Sequence, residues 1–66
     1  MNITINDDNH EIPSGSTIAD LLLKLEMKSK YVAVERNLEL IPRAEHADTV
    51  LADGDKLEIV TLVGGG

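Results

Sequence analysis

Three consecutive glycines at residues 64–66 follow a run of β-formers at residues 57–63, and they limit how far a fold can extend. A strand does not continue through them, because glycine loses more backbone entropy on ordering than any other residue and has no side chain to pack. We therefore expect a folded domain over residues 1–63 and a flexible tail after it. Without β-carbons, such a tail fits a narrow tunnel and leaves its terminal carbonyl open to attack. The alternative is an ordinary frayed terminus, since chain ends are commonly disordered.

The composition allows one small domain with an aliphatic core. The chain has 66 residues, no Cys, no Phe and no Trp, and Tyr31 is its only aromatic residue. Neither disulfides nor thiolate metal sites can then supplement the core, so isoleucine, leucine and valine must fill it. The missing cysteines also remove every thiol that could carry sulfur, and they are compatible with a reducing cytosol.

Acidic residues outnumber basic ones by 12 to 6, for a formal charge of −6. This charge repels nucleic acid and anionic membranes and favours a partner with a basic docking face. The sequence shows neither a signal peptide nor an 18-residue apolar run, so we expect a cytoplasmic protein without a membrane segment.

Alternating polar and apolar residues predict strands on both sides of one helix. The predicted strands cover residues 1–6, 11–13, 32–35, 38–41 and 56–63. Turns are expected at residues 7–9, 36–37 and 53–54, where Asp, Asn and Gly concentrate. This order indicates one mixed sheet whose first and last strands are parallel neighbours at its centre, with the helix across one face.

The helix is predicted to begin at Thr17, which forms a capping box with Asp20. Its apolar stripe consists of Ile18, Leu21, Leu22 and Leu25. Leu23 lies off the stripe, at its margin or exposed. Lys28 and Lys30 are expected near the helix end, where positive charge suits the dipole.

Polar residues 43–48 indicate a single helical turn between the later strands. Val50 and Leu51 follow it and are expected to be apolar anchors beneath a connecting loop.

The last strand is apolar on both of its faces. One face carries Leu57, Ile59, Thr61 and Val63. The other carries Glu58, Val60 and Leu62, although a strand that is half-buried in a monomer should have a polar outer face. Val60 and Leu62 therefore indicate a patch that a partner covers. The alternative is two tolerated surface aliphatic residues.

No catalytic or metal site emerges from the remaining polar residues. His10 and His46 lie in separate polar segments without ligand spacing, and we expect each to be a solvated surface residue. Residues 53–55 (DGD) lack the later glutamate of a calcium loop and are interpreted as a turn. The hydroxyl groups at residues 14–17 are explained by the helix cap.

Short motifs, each weak alone, occur in a specific order along the whole ungapped chain. They are residues 12–15 (IPSG), 17–22 (TIADLL), 32–37 (VAVERN), 41–43 (IPR), 52–55 (ADGD) and 63–66 (VGGG). In this order and at this length, the chain resembles the ThiS family, the sulfur carrier proteins of thiamine thiazole biosynthesis. The resemblance implies an α+β, ubiquitin-like β-grasp fold, in which a mixed five-stranded sheet packs on one main helix.

The resemblance also implies a protein co-substrate and not an enzyme. In the family, a ThiF-type enzyme uses ATP to adenylate the terminal glycine, here Gly66, and sulfur then replaces the adenylate to give a thiocarboxylate. A ThiG-type thiazole synthase takes this sulfur. Gly64 and Gly65 would thread the partner's active site, while Val60 and Leu62 would form the apolar centre of the docking face. No bound cofactor and no metal are implied, and the free protein is expected to be a monomer.

Two other functions stay open at this point. A MoaD-like sulfur carrier of molybdopterin synthesis would share the fold and the chemistry, but such proteins tend to be longer and to end in a Pro-Pro-Val-Ala-Gly-Gly type sequence. A ubiquitin-like binding or modifier module would instead join its tail to lysines, or use no tail chemistry.

Overall fold

The computed structural model describes residues 1–62, and residues 63–66 lie outside the described part of the chain. Within residues 1–62 the chain forms five strands, one α-helix and two short 3₁₀ helices. In chain order these are β1 (Asn2–Ile5), β2 (Asp8–Glu11), α1 (Ile18–Lys24), a first 3₁₀ helix (Ser29–Tyr31), β3 (Val32–Arg36), β4 (Glu39–Ile41), a second 3₁₀ helix (Arg43–Glu45) and β5 (Lys56–Thr61).

The strands form one mixed sheet in the order β2-β1-β5-β3-β4. β5 lies at its centre, parallel to β1, with Thr4 opposite Lys56 and Ile5 opposite Leu57. On its other side β5 is antiparallel to β3. The predicted parallel pairing of the first and last strands at the centre of the sheet is confirmed.

Residues on one face of the sheet and on one side of α1 form the core. Every fully packed member is aliphatic, as the composition predicts. The buried apolar residues are Ile3, Ile5, Ile12, Ile18, Leu21, Leu22, Val32, Val34, Ile41, Leu51, Leu57 and Ile59. Leu25 is half-buried against this cluster, and Leu23 is 76% exposed. Leu51 is buried as expected, but the expected anchoring of Val50 is wrong, because it is 54% exposed.

The capping box predicted at the start of α1 is confirmed. The backbone N–H of Asp20 donates to Thr17 Oγ1 at 3.1 Å, and the backbone N–H of Thr17 donates to Asp20 Oδ2 at 3.0 Å. These bonds satisfy two of the backbone donors that the first turn of a helix leaves unpaired.

The helix is shorter than expected and ends at Lys24. Glu26 adopts a positive φ of 59°, and the N–H of Met27 donates to the carbonyl of Leu22 at 2.8 Å. This is the Schellman arrangement that terminates helices, formed here without the usual glycine. Lys28 and Lys30 therefore lie beyond the helix end, and the basic residue in its last turn is Lys24.

The first hairpin turns earlier than expected. Asn6 and Asp7 form a two-residue turn with positive φ of 50° and 71°, which type I′ hairpin turns require and which Asn and Asp tolerate. β2 then begins at Asp8, and Asp8 pairs with Ile5. The predicted turn at residues 7–9 and the returning strand at residues 11–13 are therefore wrong in position, although the hairpin itself exists.

The second hairpin and the segments that follow it are close to the prediction. Its turn lies at Asn37 and Leu38, one residue later than expected, and both have positive φ. The single helical turn expected within residues 43–48 is present as the second 3₁₀ helix. The predicted turn at residues 53–54 is also confirmed, with Gly54 at a φ of 87°.

The expectation that His46 is a solvated surface residue is wrong. Its side chain is 2% exposed, with Nε2 3.1 Å from the carbonyl oxygen of Ile41 and Nδ1 3.2 Å from Ser29 Oγ. A carbonyl can only accept, so Nε2 carries a proton, and in the neutral ring Nδ1 then accepts from the serine hydroxyl. His46 thus connects the segment after β4 to the first 3₁₀ helix. His10, on β2, is half-buried.

None of the helices within residues 1–62 is long and apolar enough to cross a membrane.

Replacing Leu22 by alanine should lower the free energy of unfolding by roughly 2 to 5 kcal/mol, because Leu22 is 1% exposed and its truncation leaves a cavity. Leu23→Ala on the exposed side of the same helix is the matched control and should change it by less than about 0.5 kcal/mol. Urea denaturation of both variants measures the difference, and equal losses would contradict the packing of α1 described above.

Candidate functional site

The face of the sheet opposite α1, here called the open face, carries the outward residues of β5. Val60 is 57% exposed and Leu62 is 51% exposed. Their neighbours along the strand, Leu57 and Ile59, point to the core. The sequence prediction that Val60 and Leu62 lie on an outer face is confirmed, while their role in docking stays a prediction.

The neighbouring strands extend this apolar surface. Ala33 on β3 lies directly opposite Val60. Leu40 on β4 lies opposite Glu35 and is 62% exposed. We call Ala33, Leu40, Val60 and Leu62 the open-face patch. Sequence reasoning missed Leu40, although the alternation of β4, whose neighbouring Ile41 points inward, indicates its direction.

Acidic side chains accompany the open-face patch. Glu35 and Glu58 are opposite each other in the β3–β5 register, on the same face as Val60. Like charges directly opposite each other on neighbouring strands are destabilising. The open face therefore combines an apolar centre with an acidic pair that is unfavourable in the isolated protein.

The asparagine of each hairpin turn holds the backbone of β5. Asn6 Oδ1 accepts from the N–H of Ile59 at 2.9 Å, and Asn6 Nδ2 donates to the Ile59 carbonyl at 3.1 Å. On the opposite side, Asn37 Oδ1 accepts from the N–H of Lys56 at 3.0 Å. At Lys56 and Ile59 these side-chain amides supply hydrogen bonds that a neighbouring strand does not. The backbone of β5 is therefore held on both sides up to Ile59.

A buried carboxylate supports the start of β5. Asp55 is 6% exposed and accepts from the N–H of Ala52 at 2.8 Å, from Arg36 Nε at 2.8 Å and from Asn37 Nδ2 at 3.1 Å. Burial by itself raises the pKa of this carboxyl group. The Ala52 N–H, the Asn37 amide and the Arg36 guanidinium outweigh burial and hold the pKa of Asp55 below its ordinary value of 3.8.

Asp55 is a structural residue that the sequence analysis considered only as a possible calcium ligand. The interpretation of residues 53–55 as a turn is confirmed, because protein donors occupy both carboxylates. Asp53 Oδ1 accepts from the N–H of Asn2 at 2.7 Å. Within the described chain, no three His, Asp or Glu side chains form a group that could hold a metal ion.

A cleft of about 300 Å³ lies away from the open face, between the end of β2 and α1. Its lining consists of Ile12, Pro13, Ser16, Asp20, Leu21 and Lys24. Asp20 is engaged in the capping box, and Ser16 Oγ donates to the carbonyl of Pro13 at 2.7 Å. Neither of these polar groups is paired with a base or a nucleophile, so the cleft offers no catalytic arrangement.

The predicted tail residues Gly64, Gly65 and Gly66 lie outside the described residues, as does Val63. Their roles in threading and in carrying the reactive carboxylate therefore stay predictions. The last described residue, Leu62, is held by a hydrogen bond from its N–H to the carbonyl of Tyr31 at 2.7 Å. The chain thus leaves the described fold from an ordered point beside the open-face patch.

Comparison with known proteins identifies the family. The model of the ThiS family matches residues 2–66. The chain belongs to the ThiS family. The crystal structure of a thiamine biosynthesis protein (ThiS) from Geobacter metallireducens superposes with a TM-score of 0.85, at 32% identity and over 100% of both chains. The predicted β-grasp fold is thereby confirmed.

The chain is similar to two kinds of protein, sulfur carrier proteins and thiazole synthases. The sulfur carrier protein ThiS of Bacillus subtilis is 46% identical over 50 residues, which is 76% of each chain. A thiazole synthase of Paramagnetospirillum magneticum is 44% identical over 66 residues, which is the whole of this chain but 20% of the synthase. A thiazole synthase of Magnetococcus marinus is 36% identical, again with 20% of its length covered. The chain thus spans one-fifth of the length of these two relatives.

We expect Asp55→Asn to lower stability at neutral pH by roughly 1.5 to 3 kcal/mol, the range for hydrogen bonds to a charged group. Because the folded pKa of Asp55 lies below the unfolded one, its contribution is present above the unfolded pKa and is lost as pH falls through the folded pKa. The stability difference between wild type and Asp55→Asn should therefore shrink between neutral pH and about pH 3.

Urea denaturation over this pH range measures the difference. The exposed Asp48→Asn is the control, because no side-chain hydrogen bond holds Asp48 within the described chain. A constant difference for Asp55→Asn at all pH values would show that the charge of Asp55 contributes nothing to folding.

Proposed function

We propose that this protein is a sulfur carrier for thiazole formation in thiamine biosynthesis. The family match over residues 2–66 supports this most directly, since it includes the three glycines as well as the folded domain. Relatives named sulfur carrier protein ThiS come from Bacillus subtilis and, at 29% identity over the whole chain, from Escherichia coli. The carrier is a co-substrate, and the catalytic groups belong to its partners.

The proposed chemistry occurs at the carboxylate of Gly66. A carboxylate oxygen attacks the α-phosphorus of ATP and pyrophosphate leaves, giving an acyl adenylate. Hydrosulfide from the sulfur donor then attacks the acyl carbon, AMP leaves, and loss of a proton gives the thiocarboxylate. The chain has no cysteine that could carry sulfur in its place. Gly64 and Gly65 would lie in the partner's active site, where the absence of side chains permits close approach to the reacting carbonyl.

Two partners complete this function. A ThiF-type adenylating enzyme binds the ATP, so the carrier itself needs no bound cofactor. A ThiG-type thiazole synthase accepts the sulfur, and its involvement is supported by the two synthase relatives that contain a segment like this chain. We propose that the free carrier is a monomer and acts in the cytoplasm, where ATP for the adenylation is available.

The open-face patch is the proposed docking surface. Val60 lies near the end of β5 and Leu62 directly follows its last residue, Thr61, so a partner that covers them would also receive the chain leading to Gly66. Apolar residues at the centre of an interface contribute most to affinity, and charged residues at its rim direct the encounter. The Glu35 and Glu58 pair favours a partner with basic residues beside an apolar surface.

The function is tested on the 66-residue chain incubated with a ThiF-type adenylating enzyme, ATP and a sulfur donor. Intact-protein mass spectrometry should show one oxygen replaced by one sulfur, at Gly66 alone. Deleting Gly66 should abolish the reaction with little change in stability, because it shortens the chain by up to about 3.5 Å and misplaces the reacting carbonyl. A chain that stays unmodified, or that accepts sulfur without Gly66, would exclude the carrier function.

Val60→Asp and Leu62→Asp should each weaken binding to the adenylating enzyme about tenfold or more, because each places a charge in an apolar contact. Leu23→Asp is the matched control, because Leu23 is exposed on α1, away from the open face, and this variant should bind as the wild type does. Calorimetric titration measures the affinities, and circular dichroism checks that each variant is folded. Equal affinities for all four proteins would remove the open-face patch from the proposed interface.

A further inference from the structure

β5 is paired over different lengths on its two sides. On the β3 side the pairing runs from Leu57 to Thr61, which is opposite Val32. On the β1 side the pairing ends at Leu57, which is opposite Ile5. The second half of β5, which carries Val60 of the open-face patch, therefore lies beyond the end of β1.

The side chain of Asn6 continues the ladder at the point where the backbone of β1 turns away. In a regular parallel pair, the main-chain carbonyl of residue 6 would accept from the N–H of Ile59, and the N–H of residue 8 would donate to the Ile59 carbonyl. Here the Asn6 amide makes both bonds, since Oδ1 accepts from the Ile59 N–H at 2.9 Å and Nδ2 donates to the Ile59 carbonyl at 3.1 Å. The side-chain amide thus takes the place of the peptide groups of a longer β1.

An asparagine side chain suits this role. Its amide has both a donor and an acceptor, as a peptide group has, and only the orientation with Oδ1 toward the N–H of Ile59 satisfies both partners. The backbone of Asn6 is itself held, because its N–H donates to the carbonyl of Leu57 at 2.9 Å. Asparagine also tolerates the φ of 50° that the turn requires at this position. The amide therefore extends from a well-anchored point of the sheet.

We propose that Asn6 is a positioning residue for the docking of the carrier on its ThiF-type adenylating enzyme. The proposal rests on the sulfur-carrier function and the docking surface given above. Within the described chain, the part of β5 that is held on the β3 side alone begins at Val60, and without the Asn6 amide it would begin at Glu58. Asn6 thus orders the strand immediately before the two exposed residues, Val60 and Leu62, that the enzyme would cover.

Such ordering acts on affinity and not on the chemical step. A segment that already has its bound conformation loses less conformational entropy on association. Asn6 need not touch the enzyme for this effect, because it acts through the backbone of Ile59. The groups that activate Gly66 belong to the enzyme, so the loss of Asn6 should raise the KM for the carrier and leave kcat unchanged.

Asn37 provides a matched control. It occupies the corresponding position of the other hairpin turn, with a φ of 51°, and its Oδ1 accepts from the N–H of Lys56 at 3.0 Å. It therefore holds the start of β5, whereas Asn6 holds the half that leads to the open-face patch. Replacing either asparagine by glycine keeps the positive φ of the turn and removes the side-chain bonds. Asn37 also donates to Asp55, so Asn37→Gly should lose at least as much stability as Asn6→Gly.

We expect Asn6→Gly to bind the adenylating enzyme about five to ten times more weakly than wild type, and Asn37→Gly to bind within about twofold. In the sulfur-loading reaction, the KM for Asn6→Gly should rise by the same factor, with kcat within about twofold of wild type. Calorimetric titration and initial rates measure these quantities. Thermal unfolding checks that both variants are folded at the temperature of the assay.

Amide hydrogen exchange of the free proteins separates positioning from direct contact with the enzyme. Asn6→Gly removes the acceptor of the Ile59 N–H. The N–H of Leu62, which donates to the carbonyl of Tyr31 at 2.7 Å, lies further along the part of the chain that is held on one side alone. Both amides should exchange faster in Asn6→Gly than in wild type or in Asn37→Gly.

The outcomes separate this proposal from the carrier function. If wild type accepts sulfur at Gly66 while both glycine variants bind equally well, the positioning role is overturned and the carrier function stands. The positioning role is also overturned if Asn6→Gly does not fold, or if it binds weakly without faster exchange of the Leu62 amide. If wild type neither accepts sulfur nor binds the adenylating enzyme, both proposals are overturned. Weaker binding, a raised KM and faster exchange in Asn6→Gly alone support the positioning role.

Discussion

The pairing of β5 on both sides is the constraint on which the rest of the structure depends. Its inward residues Leu57 and Ile59 are 0% and 6% exposed, and they meet the helix in a core without a single aromatic side chain. The neighbouring strands do not satisfy every backbone group of β5, and two side chains bond the groups at Lys56 and Ile59. Asn6 and Asn37 lie in the two hairpin turns, where both have positive φ. Their side-chain amides accept hydrogen bonds from the backbone of β5. A small aliphatic core thereby gains a firmly positioned central strand.

Alternation and capping signals predicted the elements of this fold, while contacts distant in sequence decided what the sequence analysis missed. The strand order and the Thr17 cap follow from local patterns. The early end of α1 depends on Glu26 adopting a positive φ, which glutamate does not signal. The burial of His46 depends on Ser29 and the carbonyl of Ile41, and no periodic pattern joins those segments. The burial of Asp55 likewise depends on a residue distant in sequence, Arg36 on β3.

The candidate site was predictable to the extent that it follows strand alternation. The outward direction of Val60 and Leu62 follows from the alternation of side chains along a strand alone. Leu40 obeys the same rule, but its three-residue strand is too short for the pattern to stand out. The contact of the Asn6 amide with the backbone of Ile59 could not be found from sequence, because it results from a difference in length between β1 and β5. Such a difference is visible only once the register of the two strands is known.

The acidic pair on the open face costs the folded domain little and bears on the proposed docking. Opposed like charges on neighbouring strands cost roughly 0.2 to 1 kcal/mol, which is small beside the burial of twelve aliphatic side chains. The fold therefore tolerates Glu35 opposite Glu58. In the proposed docking, a basic side chain from a partner would offset this repulsion on contact. Under the proposed function, this relief would add a similarly small amount to the affinity that the apolar contacts of Val60 and Leu62 provide.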